Sequence, residues 1–393
     1  MNVLSLFDGM SCGQQALERT GIKIENYFAS EIDKYAIQVT MANYPNTIQL
    51  GSVVGVDGYA LPKIDLLIGG SPCQSFSFAG KRKGMATTDE QEILTLEHYL
   101  KLKSDGYEFE GQSYLFWEFM RLLYEVKPKY FLLENVEMGE KWERVLTQAI
   151  GVNALHINSA LVSAQNRKRI YFTNIGMEAA GLFGYPVSII QKPKDRKILL
   201  KDILESEVDD KYYLSQQRIE TMLKSERSVP YVDEETKKFN CLLAGYNKIP
   251  TDGQYVVHNT MPRSSTTSKG GTGHLSRNDG KTYCLDGGNT NAVEVREVKQ
   301  LSTNNKSNGG TQPYQQDRIY DVNGISPALQ AQLPNGSTMI NTSRIRRLTP
   351  LEYQRLQTVN DNYKMPVSDS QKYKMLGNGW TIEVISHIFK YIL

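Results

Sequence analysis

A chain of 393 residues with 40% hydrophobic side chains can fold, and it is long enough for two domains because single cores stop growing at roughly 250 to 300 residues. Its 45 Lys and Arg nearly balance 43 Asp and Glu, so net charge neither demands nor excludes a polyanionic partner. The four cysteines, Cys12, Cys73, Cys241 and Cys284, form no C-x-x-C pair, which argues against a zinc site or a disulfide framework and fits a reducing cytoplasm.

The chain opens on Met1-Asn-Val-Leu-Ser5 and reaches Asp8 without the basic start or apolar run of a signal peptide, and no stretch is apolar enough for a membrane span. Val3 to Phe7, Ile24 to Ala29, Ile64 to Ile68 and Tyr130 to Leu133 read as strands separated by amphipathic segments. Leu115, Phe119, Leu122 and Leu123 recur at helical spacing, and Pro128 stops that helix before the Tyr130 strand. Parallel βαβ units of this kind predict an α/β fold with a doubly wound sheet, whose ligands sit beyond the carboxyl ends of the strands. The long connection from Lys81 to Gln112 includes a helical-looking stretch, Asp89 to Lys103.

From about Pro186 the alternation is lost, and by Thr260 Gly, Ser, Asn, Thr and basic residues dominate. Periodicity resumes after Arg344, where Thr349 and Pro350 open a helix through Leu356, and Trp380 to Tyr391 reads as a closing amphipathic helix. The organisation expected is therefore a catalytic domain over 1–185, a smaller, mainly β or irregular domain over 186–342, and a segment, 343–393, that returns to the first domain.

Leu4-Ser-Leu-Phe-Asp-Gly-Met-Ser-Cys-Gly13 runs a strand into a turn in which Gly9 and Gly13 let backbone amides approach a ligand. Asp8 in that turn would repel a pyrophosphate but hold an amino group, which favours the methionine end of S-adenosylmethionine over NAD; an ordinary strand-to-helix turn is the alternative. Glu31 ends the second strand, where a carboxylate commonly binds a ribose diol, or stands simply in solvent.

Asp65-Leu-Leu-Ile-Gly-Gly-Ser-Pro-Cys-Gln-Ser-Phe-Ser-Phe-Ala-Gly80 empties a buried strand into a loop that presents Cys73, an intrinsically good nucleophile. Cys241 and Cys284 have no such setting and read as packing residues. Phe131-Leu-Leu-Glu-Asn-Val136 brings Glu134 to the end of a neighbouring strand, near the same crevice if the sheet is parallel. In Gln165-Asn-Arg-Lys-Arg-Ile-Tyr-Phe172 the alternate residues Gln165, Arg167 and Arg169 share one face of an extended segment, either a site wall or a basic edge strand.

Taken together, Phe7-Asp-Gly, Gly-Ser-Pro-Cys-Gln, Glu134-Asn135-Val136, Gln165-x-Arg-x-Arg and Gly377-Asn378 resemble, in order and spacing, the motifs of the DNA cytosine-5 methyltransferases. The resemblance covers residues 1 to about 175 and about 343 to 393. It implies that Cys73 adds to carbon 6 of cytosine, that Glu134 donates a hydrogen bond or proton to ring nitrogen 3, that Arg169 contacts the cytosine carbonyl oxygen, that Arg167 braces the site, and that Gln165 belongs to the same catalytic set. For S-adenosylmethionine it implies Phe7, Asp8, Gly9, Gly13, Glu31, Ile32, Ser52, Val53, Pro72, Asn378 and Trp380. Gly51-Ser52-Val53 departs from the Gly-Asp of many members and leaves the adenine amino contact to Ser52, while Gly377-Asn-Gly-Trp380 is closer to the mammalian de novo enzymes than to the bacterial Gly-Asn-Ser-Val.

A base inside a duplex must be turned out before its carbon 5 is reached. The resemblance therefore implies double-stranded DNA as partner, with Gln74, Ser77, Lys81 and Arg82 beside the nucleophile as contacts and 186–342 as the target-recognition domain. That domain holds Lys192, Arg263, Lys269, Arg277, Lys299, Lys306 and Arg318, and it is too long for an unstructured linker. The Lys81 to Gln112 connection would extend the loop that closes over the base, or form a surface excursion with no part in catalysis. A monomer in the cytoplasm of a bacterial or phage-infected cell is expected, without a metal, and a partner restriction enzyme is not inferable. A transfer-RNA cytosine-5 methyltransferase would share the core with a shorter recognition region, and a DNA-binding homologue without turnover would lose Cys73 or Glu134. A zinc deaminase would need a second cysteine after Pro72-Cys73 that is not there.

Overall fold

The computed structural model describes residues 1–72, 85–180, 185–213, 231–232, 239–240, 255–256 and 346–392. The chain divides into two compact units, Met1–Lys197 with Gln354–Leu393, and Ile198–Tyr353. In the first unit the strands are β1 (Asn2–Leu6), β2 (Asn26–Ser30), β3 (Ile48–Gln49), β4 (Leu66–Gly70), β5 (Tyr130–Val136), β6 (Leu155–Asn158), β7 (Gln165–Asn166) and β8 (Lys168–Thr173). A hairpin of β9 (Met177–Ala180) with β10 (Tyr185–Ser188) follows.

Seven of these strands form one sheet in the order β3-β2-β1-β4-β5-β8-β6. The pairs from β3 to β5 are all parallel, and β8 alone runs against its neighbours β5 and β6. Strand order reverses between β1 and β4, so the crevice of an open α/β sheet opens there. The predicted strands overlap β1, β2, β4 and β5 to within three residues at each end, and the sheet is the mostly parallel, doubly wound α/β type that the sequence predicts.

The strands read as continuous apolar runs because both faces are covered. On one face α1 (Cys12–Arg19) approaches Ile68, and the C-terminal helix Ile382–Phe389 packs beside it, with Ser386 Oγ donating to the carbonyl of Ala16 at 3.4 Å. On the other, α4 (Phe116–Val126) buries Phe116, Trp117, Phe119 and Leu122 against Leu4, Leu6, Leu67 and Leu133. Removing such faces from water supplies roughly 1.5–3 kcal/mol per large side chain. Lys127 closes α4 in a left-handed conformation, and Pro128 follows it, as the sequence predicts.

The excursion between the fourth strand and α4 departs from expectation. Its helix, α3, runs only from Leu96 to Ser104, capped by the Thr95 hydroxyl on the His98 amide at 3.2 Å. Upstream, Thr87 bonds Asp89 and the Gln91 amide, and Glu90 takes a left-handed φ of 68°, so Asp89 to Thr95 turns instead of coiling. Nor is it a free loop, since Met85, Ile93, Tyr99 and Leu102 are buried in the main core.

Glu118 of α4 fixes this docking. Fully buried, it accepts from the Tyr99 hydroxyl at 2.5 Å, Lys103 Nζ at 2.6 Å and Arg121 Nε at 2.7 Å. In the second unit Glu352 similarly takes Arg346 through both oxygens at 2.8 and 2.9 Å and the Thr349 amide at 2.7 Å.

Glu118→Ala leaves three donors around an empty buried site, and removing one partner of such a network costs about 3 kcal/mol. Urea denaturation should show that loss, and a cost below about 1 kcal/mol would mean the excursion is held by apolar packing alone.

Candidate active site

The turns after β1, β2 and β4 carry Phe7, Asp8, Gly9, Glu31, Ile32 and Pro72, and the end of β5 carries Glu134. After β1 the backbone is left-handed at Phe7, Gly9 and Ser11, with φ of 57°, 59° and 59°. Glycine adopts this freely, but Phe7 and Ser11 do so at a cost of roughly 1–3 kcal/mol each. The turn is held by the Asp8 amide on the Ser30 carbonyl at 3.2 Å and by the Gly9 amide on Glu31 Oε2 at 2.8 Å. At Gly13 a Cβ would stand 2.3 Å from Ile68 Cδ1 and 2.8 Å from the Tyr27 hydroxyl, so only glycine lets α1 sit this close to the sheet.

Asp8 Oδ1 accepts from the Tyr27 hydroxyl at 2.8 Å, while Oδ2 is buried with no hydrogen-bond partner among the described residues. Burial pushes its carboxyl up to about 6, although hydroxyls of Ser5, Tyr27 and Ser11 draw it back. Cys12, the next residue but three, is a buried packing thiol that desolvation raises to about 12.

Glu31 accepts from the Gly9 amide through Oε2 and from the amides of Ile32 and Asp33 through Oε1 at 2.7 and 2.8 Å, which leaves Oε2 able to take a further donor. Ile32 beside it is 71% exposed, an apolar plate at the strand end. Past β3, Gly51 has a φ of 71° and its carbonyl accepts from Ser30 Oγ at 2.8 Å; Val53 is buried and Ser52 exposed.

At the end of β4, Ser71 is buried and Pro72 half-buried, and Asn135 Nδ2 donates to Ser71 Oγ at 3.0 Å, tying the approach to Cys73 onto β5. Cys73, Gln74, Ser77, Lys81 and Arg82 lie outside the described residues. Most of 186–342, with Arg263, Lys269, Arg277, Lys299, Lys306 and Arg318, does as well.

Register places Glu134 beside Gly70 of β4, and Val136 beside Arg169 of β8. Glu134 is buried with its carboxylate forked between two donors: Arg169 Nε reaches Oε1 at 3.0 Å and Trp380 Nε1 reaches Oε2 at 3.2 Å. The alternation predicted over 165–169 is present, with Gln165 and Arg167 buried and Asn166 and Lys168 exposed. Arg167 donates to the carbonyls of Gly377 at 3.2 Å and Gly379 at 3.0 Å, and Gln165 Nε2 to the Leu356 carbonyl at 3.2 Å. Asn378, in the same loop, is exposed at the end of the helix Asp369–Asn378.

Three residues of this arrangement are given no role by the sequence, although Ser71 lies inside the Gly-Ser-Pro-Cys-Gln motif. Tyr27 holds Asp8, Ser71 anchors Asn135, and Gln357 donates to the Leu376 carbonyl at 2.6 Å and the Gly379 carbonyl at 3.2 Å while accepting from Thr381 at 2.9 Å. No metal-holding group of His, Cys, Asp or Glu occurs among the described residues, and none of their helices is long and apolar enough to cross a membrane.

Residues 1–393 match the model of a family described as C-5 cytosine-specific DNA methylase. The orphan methyltransferase M.SPRI of Bacillus phage SPR is 28% identical, over 100% of this chain and 97% of its own length. The type II methyltransferase M1.ScrFI of Lactococcus lactis is 26% identical, over 100% of this chain and 77% of its own. In fold, the Entamoeba histolytica methyltransferase EhMeth superposes with a TM-score of 0.61 at 14% identity, covering 100% of this chain and 97% of that one. The S. pombe Dnmt2 methyltransferase does so with 0.55 at 15%, covering 99% and 97%.

The raised carboxyl of Asp8 makes a linkage prediction. Its folded-state value, about 6, exceeds the ordinary 3.8, so its contribution is fully present at low pH and is lost as pH rises through about 6. Asp8→Asn should therefore gain stability relative to the parent as pH rises from 4 to 7, by on the order of 2–3 kcal/mol. Thermal unfolding across that range checks it, and a pH-independent difference would contradict the burial argument.

Proposed function

The chain belongs to the C-5 cytosine-specific DNA methylase family, and from that membership and the forked carboxylate of Glu134 we propose how this DNA cytosine-5 methyltransferase works. The substrate is a cytosine turned out of a specific double-stranded sequence, and the methyl donor is S-adenosylmethionine. The observation that carries the reading is Glu134, buried near the carboxyl end of β5, the strand beside the one that leads to Cys73, and held at both oxygens.

Carbon 5 of cytosine is too weak a nucleophile to accept a methyl group unaided. Cys73 as thiolate adds to carbon 6, and the displaced ring electrons flow toward nitrogen 3, where Glu134 supplies a hydrogen bond or proton. Arg169, against Glu134, is placed to meet the neighbouring carbonyl oxygen of the base. The resulting enamine attacks through carbon 5. When bound, S-adenosylmethionine supplies the methyl group as the electrophile, the pair of the broken sulfur–methyl bond staying on sulfur so that the donor leaves as a neutral thioether. A base then takes the proton from carbon 5, the electron pair re-forms the ring double bond, and Cys73 leaves as thiolate.

The residues around the first turn fit the donor. The unpartnered Oδ2 of Asp8 suits an ammonium group, whose charge would also draw Asp8 into its ionised form. Glu31 retains an acceptor site on Oε2 for a ribose hydroxyl, and exposed Ile32 offers an apolar surface to adenine. In the same reading 1–185 with 343–393 form the catalytic domain and 186–342 the target-recognition domain. The enzyme works as a monomer in the cytoplasm of a bacterial or phage-infected cell, a reading supported by the sources of M.SPRI, a Bacillus phage, and M1.ScrFI, Lactococcus lactis.

A duplex with 5-fluorocytosine at the recognised position tests the covalent step, because fluorine replaces the proton whose loss frees Cys73. An adduct resistant to denaturing electrophoresis should form, require S-adenosylmethionine, and vanish in Cys73→Ala. Absence of the adduct on DNA, with capture of a 5-fluorocytosine transfer RNA, would reassign the substrate to RNA.

A further inference from the structure

Trp380 stands in the sequence as a cofactor contact, yet its indole N–H is directed at Glu134 Oε2 and the side chain is buried. A buried indole N–H needs an acceptor, and here the acceptor is the carboxylate on which the proposed chemistry turns. We propose that Trp380 is a positioning residue for Glu134, and that Gly70 is side-chain-free to give the indole its berth; this rests on the role assigned to Glu134 above.

Three observations carry it. The first is the division of the carboxylate: Arg169 Nε takes Oε1 at 3.0 Å and Trp380 Nε1 takes Oε2 at 3.2 Å. A guanidinium offers five donors in a fixed fork and pairs readily with both oxygens of one carboxylate. A second donor on Oε2 opposes that collapse, fixes the carboxyl plane and leaves it turned toward a base. The second is Gly70, which register sets directly beside Glu134. A Cβ at Gly70 would stand 2.8 Å from Trp380 Nε1 and 3.1 Å from Glu134 Oε2, so any side chain displaces the pair.

The third is the stiffness of the support. The carbonyls of Gly377 and Gly379 are held by Arg167, and those of Leu376 and Gly379 by Gln357. Thr381, after Trp380, is buried and bonds both Gln357 and Ser159 at 2.9 and 2.8 Å. The indole is therefore presented from a loop whose backbone is fixed on both sides.

The test compares Trp380→Phe, which keeps a ring but loses the donor, with Gly70→Ala, which intrudes from the opposite side. Single-turnover methylation is measured at saturating DNA and S-adenosylmethionine, alongside the Kd of each by calorimetry and the thermal midpoint of each variant. Both variants should lose rate at saturation by on the order of tenfold, the scale of one hydrogen bond to a charged group, with both Kd values within about twofold of the parent. A full rate at saturation in both variants overturns the proposal, whether the Kd for S-adenosylmethionine is weakened, which would put Trp380 in the cofactor pocket, or only the thermal midpoint falls, which would make it packing. Glu134→Gln separates the two levels. If that variant methylates at the parent rate, the role of Glu134 itself falls, whereas an inactive Glu134→Gln beside two full-rate variants removes only the positioning role of Trp380.

Discussion

The guanidinium of Arg167 bridges parts of the chain that lie 210 and 212 residues apart, and the site depends on that clamp. It is nearly inaccessible to water, and its charge is spent on the backbone carbonyls of Gly377 and Gly379. Charge-assisted bonds of this kind are roughly twice as strong as neutral ones, and a buried arginine stripped of its acceptors would be costly. The clamp fixes the loop that carries Trp380, Trp380 faces Glu134, and Glu134 faces Arg169 on the strand that Arg167 precedes. The chain of contacts closes on itself. Its members come from β5, the β7 to β8 segment and the C-terminal helices, so Gln354–Leu393 complete the first compact unit.

On the other side of the crevice the turn after β1 works differently. There the structure tolerates cost: left-handed backbone at Phe7 and Ser11, and an acidic group buried with one oxygen unpartnered. Such strain persists only where the surroundings over-determine it, and here Glu31, Tyr27 and Ser30 do so. Both oxygens of Glu134 are already answered by the protein, whereas Asp8 keeps one oxygen for a ligand to answer. A binding site pays in stability for what a ligand later returns.

How much of this the sequence showed follows from the range of each interaction. Strands β1, β2, β4 and β5 and helix α4 were legible because apolar periodicity, Pro128 and the strand-end glycines act locally. The face shared by Gln165, Arg167 and Arg169 was legible for the same reason, being a matter of alternation. By contrast, Gln357 is an unremarkable amide at the end of a short helix, and its partners Leu376, Gly379 and Thr381 become neighbours only after folding. The Trp380 to Glu134 bond spans 246 residues and has no periodic signature. Asp89 to Lys103 misled because propensity favours a helix throughout, while Thr87, through its hydroxyl, and Glu90, through its backbone, turn the first half away from one.

The same excursion shows why length between motifs is a poor guide to mobility. Read as sequence, a long polar connection after the nucleophile looks like more loop. In the fold, residues 85–112 contribute Met85, Ile93, Tyr99 and Leu102 to the core and are bolted to α4 through Glu118, while Lys141 of α5 (Glu140–Ile150) reaches Glu92 at 2.6 Å. Their surface is rich in acid, with Glu90, Glu92, Glu97, Asp105 and Glu108 against Lys101 and Lys103, and Lys103 is already paired with Glu118. Acidic side chains are poor company for a phosphate backbone, whose binding runs on Lys and Arg. Residues 85–112 therefore belong with the packed walls of the first compact unit, and their acidic surface is not one that a phosphate backbone would favour.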